Sequence, residues 1–206
     1  MSIIDHRLAR REFVAGIALL AAAAPSLAQA AQTSHRKQAT SPRHLLLRDV
    51  AQLVIPRTST AGAGEVGVGA FVLLGLAHGL AGSHEPLPAT LPEGVAAHVG
   101  ADGRLDYVGW LKAALDQAAD APFMAQPAAR RHAVLAALDA QAFDPKAGWH
   151  PWKAIKKLIL TGYYTSETGG SKELNYVHVP GRFDPDLPLK PSDRAYSSDW
   201  TAVDFG

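Results

Sequence analysis

One stretch of the chain, residues 149–183, constrains the fold more than any other. Its apolar side chains recur at steps of three and four residues, which places them on one stripe of an α-helix. The stripe consists of Trp152, Ile155, Leu158, Ile159, Gly162 and Tyr163, and the opposite side carries Lys153, Lys156 and Lys157. Because such a helix must bury its apolar face, the rest of the chain has to form a hydrophobic core around it.

Four other segments show a comparable helical pattern. They are residues 42–54, 66–80, 104–119 and 127–143. Ser41 and Pro42 are typical of a helix start, and Pro56 favours an end at the residue before it. Residues 66–80 are apolar nearly all round, which predicts the most buried helix. We predict an all-α fold, a small helical domain of about five helices with a long irregular C-terminal arm.

The remaining segments lack a sustained period. Residues 82–103 contain three prolines and four glycines, and so long a connection usually has a function or is disordered. Residues 174–179 are predicted to form an extended arm on an apolar surface. We place the helical domain at residues 42–183 and an extended, aromatic and proline-rich tail at residues 184–206.

The N-terminus has the features of an export signal, which we assign to residues 1–30. Arg7, Arg10 and Arg11 precede an apolar run, and Ala28 and Ala30 are small residues at the two positions that a signal peptidase recognises. The run has about a dozen residues, short of the roughly 20 that span a bilayer as a helix.

The paired arginines, followed by Phe13, resemble a twin-arginine signal, which directs folded proteins to the periplasm. An ordinary secretory signal with two adjacent arginines is the alternative. Residues 31–41 are polar and aperiodic, which predicts a flexible spacer.

Composition excludes several kinds of chemistry. The chain has 206 residues, no cysteine and a formal charge of +1. The missing thiols exclude disulfides, thiolate zinc sites and cysteine nucleophiles. Basic and acidic residues are dispersed, so nothing indicates a nucleic-acid partner.

No catalytic constellation is apparent in the sequence. Residues 62–67 match the glycine spacing of a dinucleotide-binding loop, but a predicted helix precedes them where that motif needs a strand. We therefore interpret them as a glycine-rich helix start. The histidines lack the spacing of metal ligands. We assign no catalytic, cofactor-binding or metal-binding residues to this chain.

Exposed aromatic residues are the strongest indication of a partner protein. Rigid rings with a polar tip are enriched at protein interfaces. Tyr163 has two interpretations, as part of the core stripe or as an interface residue. The predicted partner-binding residues are Trp149, Trp152, Tyr163, Tyr164, Tyr176, Phe183, Tyr196 and Trp200.

Two blocks of sequence resemble the gluconate 2-dehydrogenase subunit 3 family. The first comprises residues 47–51, 54–63 and 66–68, and the second comprises residues 157–158, 161–167 and 179–183. The Gly-Tyr-Tyr-Thr-Ser segment that begins at Gly162 is the more specific of the two. Ser59 and Ala61 differ from residues common in the family, an acidic residue and a proline, respectively.

The resemblance implies a noncatalytic small subunit of a membrane-associated sugar or sugar-acid dehydrogenase. It also implies a large flavoprotein partner that holds FAD, a cytochrome c subunit that passes on electrons, and export through the twin-arginine translocase. The small subunit would stabilise the flavoprotein and provide its export signal. Two alternatives stay open from the residues alone: the chain is itself an oxidoreductase, or it is a free-standing periplasmic helical protein.

Overall fold

The structure, a computed structural model, describes residues 41–177, 186, 188, 190 and 193–197. Its body consists of α-helices joined by turns and by one long connection, residues 78–106, so the predicted all-α fold is confirmed. The α-helices are α1 (Pro42–Val54), α2 (Val68–Ala77), α3 (Tyr107–Ala119), α4 (Ala128–Ala142) and α5 (Pro151–Tyr164). The connections contain 3-10 turns at Leu80–Gly82, Ala96–His98 and Phe123–Ala125. Within the described residues, no helix combines the length and apolarity needed to cross a membrane.

Backbone geometry sets the ends of two helices inside their predicted bounds. Gly67 has φ of 86° and Gly79 has φ of 78°, and these left-handed conformations confine α2 to the residues between them. The side chain of His150 accepts a hydrogen bond from the Trp152 backbone N–H, and Pro151 occupies the first turn. The helix that carries the predicted apolar stripe therefore begins at Pro151, one residue before Trp152.

The core is centred on α5, as its apolar stripe predicts. Trp152, Ile155 and Ile159 are 0% exposed. In contrast, α2 leaves Leu74 57% exposed, so the prediction that α2 is the most buried helix is wrong. Apolar residues all round a helix do not guarantee burial, because neighbouring elements must also be available to cover every side.

Glycines allow α2 to approach both of its neighbours closely. A Cβ atom at Gly69 would lie 2.8 Å from the backbone nitrogen of Arg48 in α1. A Cβ atom at Gly162 in α5 would lie 2.6 Å from Cδ1 of Phe71 in α2. These distances are shorter than any carbon contact allows, so the glycines that weaken helix propensity here serve packing between helices.

The C-terminal arm pairs with the tail of the chain. After a π-helical turn at Gly169–Glu173, strand β1 (Asn175–Tyr176) pairs in parallel with strand β2 (Tyr196–Ser197). The backbone N–H of Asn175 donates to the carbonyl of Ala195 at 2.9 Å. We predicted that the arm lies on an apolar surface of this chain or of another, and that stays a prediction; among the described residues the arm pairs with the backbone of the tail.

Candidate interaction surface

Tyr163 joins two segments that are distant in sequence. Its hydroxyl donates to the carbonyl of Ala61 at 3.0 Å, in the loop between α1 and α2. The hydroxyl of Thr60 in the same loop donates to Glu173 in the π-helical turn at 2.5 Å. The loop and the end of α5 are therefore held together, and these are the two blocks that carry the family resemblance.

The glycine-rich loop packs against α1. The backbone N–H of Gly64 donates to Gln52 Oε1 at 3.0 Å, and that of Gly62 donates to Glu65 Oε2 at 2.8 Å. A Cβ atom at Gly64 would lie 2.5 Å from the carbonyl oxygen of Arg48. Both amides are engaged within the protein, and helix α1 precedes the loop, so this is not the strand–loop–helix geometry of a dinucleotide site.

Acidic side chains in the described region mainly stabilise helices and helix pairs. Asp106 caps α3 by accepting from the Gly109 backbone N–H at 3.1 Å and also binds Arg43. Burial raises the pKa of Asp106, but the hydrogen bonds from Arg43 and Gly109 outweigh it and the pKa lies below its usual value. No group of three or more potential metal ligands occurs among the described residues.

Asp139 links α4 to α5 through two donors. Its Oδ1 accepts from Trp152 Nε1 at 2.6 Å and from Lys156 Nζ at 2.7 Å. Burial raises the pKa of Asp139, yet the bonds from Lys156 and Trp152 have the larger combined effect and hold the pKa below its ordinary value. The indole N–H of Trp152, the largest fully buried side chain among the described residues, thus has a charged partner, which fixes its orientation.

His150 is a buried cap at the start of α5. It is 9% exposed, its Nδ1 accepts from the Trp152 backbone N–H at 3.3 Å, and its ring meets Trp110 edge to face at 5.4 Å. Burial lowers the pKa of His150, and the charge of Lys153 lowers it further. Because Nδ1 accepts a hydrogen bond, the neutral form of the ring carries its proton on Nε2.

The predicted partner-binding residues fall into three groups. Trp149, Tyr164, Tyr176 and Tyr196 are at least 36% exposed, and Tyr196 reaches 66%. Trp152 and Tyr163 are 0% and 1% exposed, respectively, which corrects our prediction for both: their rings complete the core stripe of α5 and offer no surface to a partner. Phe183 and Trp200 lie outside the described residues, as do the signal residues Arg10, Arg11, Phe13, Ala28 and Ala30.

Sequence patterns missed several exposed apolar residues. Phe143 is 50% exposed, and Lys156 Nζ lies 4.6 Å from the centre of its ring. Leu74 and Leu80 are 57% and 49% exposed. Phe143 follows directly after α4 and does not continue the spacing of its buried residues. That position could have predicted from the sequence that Phe143 is exposed. Nothing in the sequence distinguished Leu74 from its buried neighbours in α2.

Fold and surface together define a small helical protein that displays aromatic rings suited to protein contacts. Residues 42–181 match the family model described as gluconate 2-dehydrogenase subunit 3. The chain belongs to this family, and its membership in a subunit family implies partner subunits. No curated protein and no solved structure shows a significant match to the chain.

Proposed function

We propose that this chain is the noncatalytic small subunit of a membrane-associated, flavin-dependent gluconate or related sugar or polyol dehydrogenase. It stabilises the large flavoprotein subunit, which holds FAD, and provides the signal for export to the periplasm. A cytochrome c subunit completes the complex and receives the electrons. The family match over residues 42–181 is the observation that carries this proposal.

The paired strands β1 and β2, which together form a C-terminal ribbon, carry two exposed tyrosines that support a role in partner binding. Tyr176 and Tyr196, on paired strands, are 54% and 66% exposed. A two-stranded ribbon has little stability by itself in water, and contact with another subunit would stabilise it. Tyrosine is enriched in interfaces because it combines a large apolar ring with a polar tip at low entropic cost.

The N-terminal residues support co-export with a folded partner. A twin-arginine signal directs the export of proteins that are already folded. A flavoprotein that receives FAD in the cytoplasm must cross the membrane in its folded state. The sequence around Arg10, Arg11 and Phe13 fits that signal. One signal on the small subunit would then direct the export of both subunits together.

The decisive experiment is isolation of the native complex through an affinity tag placed after Gly206. We expect a larger polypeptide with a flavin absorption spectrum to be retained with the tagged chain, while the chain alone is colourless. The double variant Tyr176→Ala, Tyr196→Ala should release the larger polypeptide, at a cost of about 2 kcal/mol or more if both act as anchor residues.

Met124→Ala is the matched control, because Met124 is also exposed, at 41%, but belongs to the 3-10 turn before α4 and not to the paired strands. This variant should retain the partner. Purification of the tagged chain without any larger polypeptide, or oxidation of a sugar by the chain alone, would contradict the proposal.

A further inference from the structure

One side of α2 is both apolar and exposed. Every residue of this helix is apolar or glycine, and Ala70, Leu74 and Ala77, which recur at steps of four and three residues, are all exposed. A helix that is apolar all round is typically covered on every side. Helices α1 and α5 pack on other sides of α2, so the exposed side needs a further neighbour to be covered.

Leu80, in the 3-10 turn after α2, extends this apolar surface. Its Cδ1 lies 3.5 Å from the position of a Cβ atom at Gly75, the residue that follows Leu74 in the helix. Leu74 and Leu80 are the two most exposed leucines among the described residues. We call Ala70, Leu74, Ala77 and Leu80 the α2 face. A contiguous apolar surface with a polar rim is typical of a site of protein interaction.

The edge of the α2 face next to α1 carries a net positive charge. The backbone nitrogen of Arg48 lies 2.8 Å from the Cβ position at Gly69 of α2, and the Arg48 side chain is 48% exposed. Asp49 accepts from Arg48 Nη2 at 2.9 Å and from Arg131 Nη1 at 2.8 Å. Two guanidinium groups therefore share one carboxylate, and one positive charge is left without a counter-charge.

The edge next to α5 is also positive. Leu158 of α5 meets α2 at Gly75, with 3.0 Å between Leu158 Cδ2 and the Cβ position. The residue before it, Lys157, is exposed and forms no ion pair with any described residue. A lysine side chain at this position can reach the rim of a partner that covers the α2 face.

Two acidic residues lie near the ends of the α2 face. Glu65 precedes the helix and is bonded to Arg57 at 2.8 Å, which offsets its charge. Glu85 lies beyond Leu80, with its Oε2 3.0 Å from the Cβ position at Gly82. The two long edges of the face are therefore positive, and one end carries a carboxylate.

This distribution of charge favours one occupant over two others. In a symmetric pair of this chain the same patch lies on both sides of the interface, so the positive edges of the two copies would meet and repel each other. A bilayer surface is disfavoured because α2 has 10 residues with Leu74 as its one large exposed side chain, and interfacial binding strengthens with apolar area. A protein surface with an acidic rim complements both the apolar face and its edges.

We propose that the α2 face binds the large subunit, through a surface of that subunit that is apolar at its centre and acidic at its rim. The inference rests on the proposed function, because membership in a subunit family is the reason to expect a partner. It adds a contact on the helical body to the one proposed for the tyrosine ribbon.

Leu74→Arg, in the chain tagged after Gly206, tests the apolar centre of this contact. We expect at least about tenfold less of the larger polypeptide per tagged chain than in the wild-type preparation, because a charge would be buried against an apolar surface. Met124→Arg, at another exposed apolar residue, outside the α2 face, is the matched control and should retain the wild-type amount. Both isolated variants should unfold at the wild-type temperature, since neither side chain is buried.

Lys157→Glu tests the acidic rim independently of the first variant. It should reduce the amount of the larger polypeptide that is retained, most strongly at low ionic strength, where the charges are least screened. Lys146→Glu, at an exposed lysine between α4 and α5, should have no effect. Wild-type retention by Lys157→Glu at low ionic strength would overturn the proposed acidic rim.

Measurements on the isolated full chain test the two other occupants. We expect a monomer in sedimentation and no binding to phosphatidylglycerol vesicles. A dimer that Leu74→Arg dissociates would assign the α2 face to a second copy, and vesicle binding that Leu74→Arg abolishes would assign it to a membrane. Either result would overturn the proposal.

The same preparations separate this inference from the proposed function. Equal retention of the larger polypeptide by the wild type and by Leu74→Arg would refute the α2 face and leave the role as a small subunit intact. A wild-type preparation without any larger polypeptide would refute both.

Discussion

The hydroxyl of Tyr163 donates a hydrogen bond to the carbonyl oxygen of Ala61 at 3.0 Å, across 102 residues of sequence. This contact connects the end of α5 to the loop between α1 and α2. Both segments belong to the blocks that resemble the family, so the pairing gives a physical reason for their occurrence in one protein. A buried tyrosine at this position fixes the loop as well as filling the core.

Replacement of Tyr163 by phenylalanine should lower the free energy of unfolding by about 1–3 kcal/mol, because the Ala61 carbonyl loses its donor while the ring is retained. Urea denaturation measures the change. Tyr164→Phe is the control, since Tyr164 is 37% exposed and should change stability by no more than about 0.5 kcal/mol. Equal effects of the two substitutions would show that the hydroxyl of Tyr163 has no special role.

Gly169→Ala should destabilise the junction after α5. The added Cβ would lie 2.0 Å from the carbonyl oxygen of Tyr163, so the backbone must move, with a loss of at least the 1–3 kcal/mol typical of overpacking. Gly148→Ala is the matched control because no atom lies within 4 Å of the Cβ position there. Thermal unfolding of the two variants should differ clearly, and a wild-type melting temperature for Gly169→Ala would contradict the described turn.

The carboxylate of Asp139 should stabilise the protein only while it is ionised. Its pKa is lowered overall in the folded protein, so its contribution is complete above the ordinary pKa of about 4 and is lost as the pH falls through the lowered folded value. At neutral pH, Asp139→Asn should cost about 1 kcal/mol, the upper end for a partly exposed pair.

Urea denaturation between neutral pH and the acid range checks this dependence. The difference between wild type and Asp139→Asn should decrease in acid, whereas Asp144→Asn, at an exposed residue, should resemble the wild type at each pH. A constant difference down to the lowest pH would mean that the carboxylate charge is not the cause.

His150 should make stability sensitive to mild acid. Burial lowers its folded pKa, so the unfolded chain takes up the proton first as the pH falls below about 6.5. Stability is complete above that value and decreases as the pH approaches the lowered folded pKa. His150→Asn, which retains a capping side chain without a titrating group, should remove this contribution. His132→Asn, at an exposed position, should retain the decrease of stability in mild acid. Loss of this pH dependence in both variants would exclude His150 as its source.

Changing Arg10 and Arg11 together to lysine should block export. The proposed twin-arginine signal depends on the arginine pair, so the small chain and its flavoprotein partner should both accumulate in the cytoplasm. Cell fractionation and immunodetection of the large polypeptide measure the result. Substitution of Arg7 alone, outside the pair, is the control. Arrival of the large subunit in the periplasm without the pair would refute the escort role.

Local pattern predicted the helices because each carries its own periodic signal. The bounds of α1 were predicted from a serine cap, a first-turn proline and the proline after Ile55, all of which act within a few residues. The same reasoning misjudged Trp152 as a contact residue and α2 as fully covered. Both errors concern which neighbour lies over a given face, and that depends on residues far away in sequence.

The amino-acid sequence by itself determined the all-α class and the apolar stripe of α5, because helix propensity and periodicity are local properties of the chain. It also carried the family resemblance and the paired arginines. Only the tertiary structure decided that Tyr163 reaches Ala61 and that Asp139 binds Trp152. Those features depend on the distance between helices, and that distance is set by packing of side chains from all parts of the chain at once.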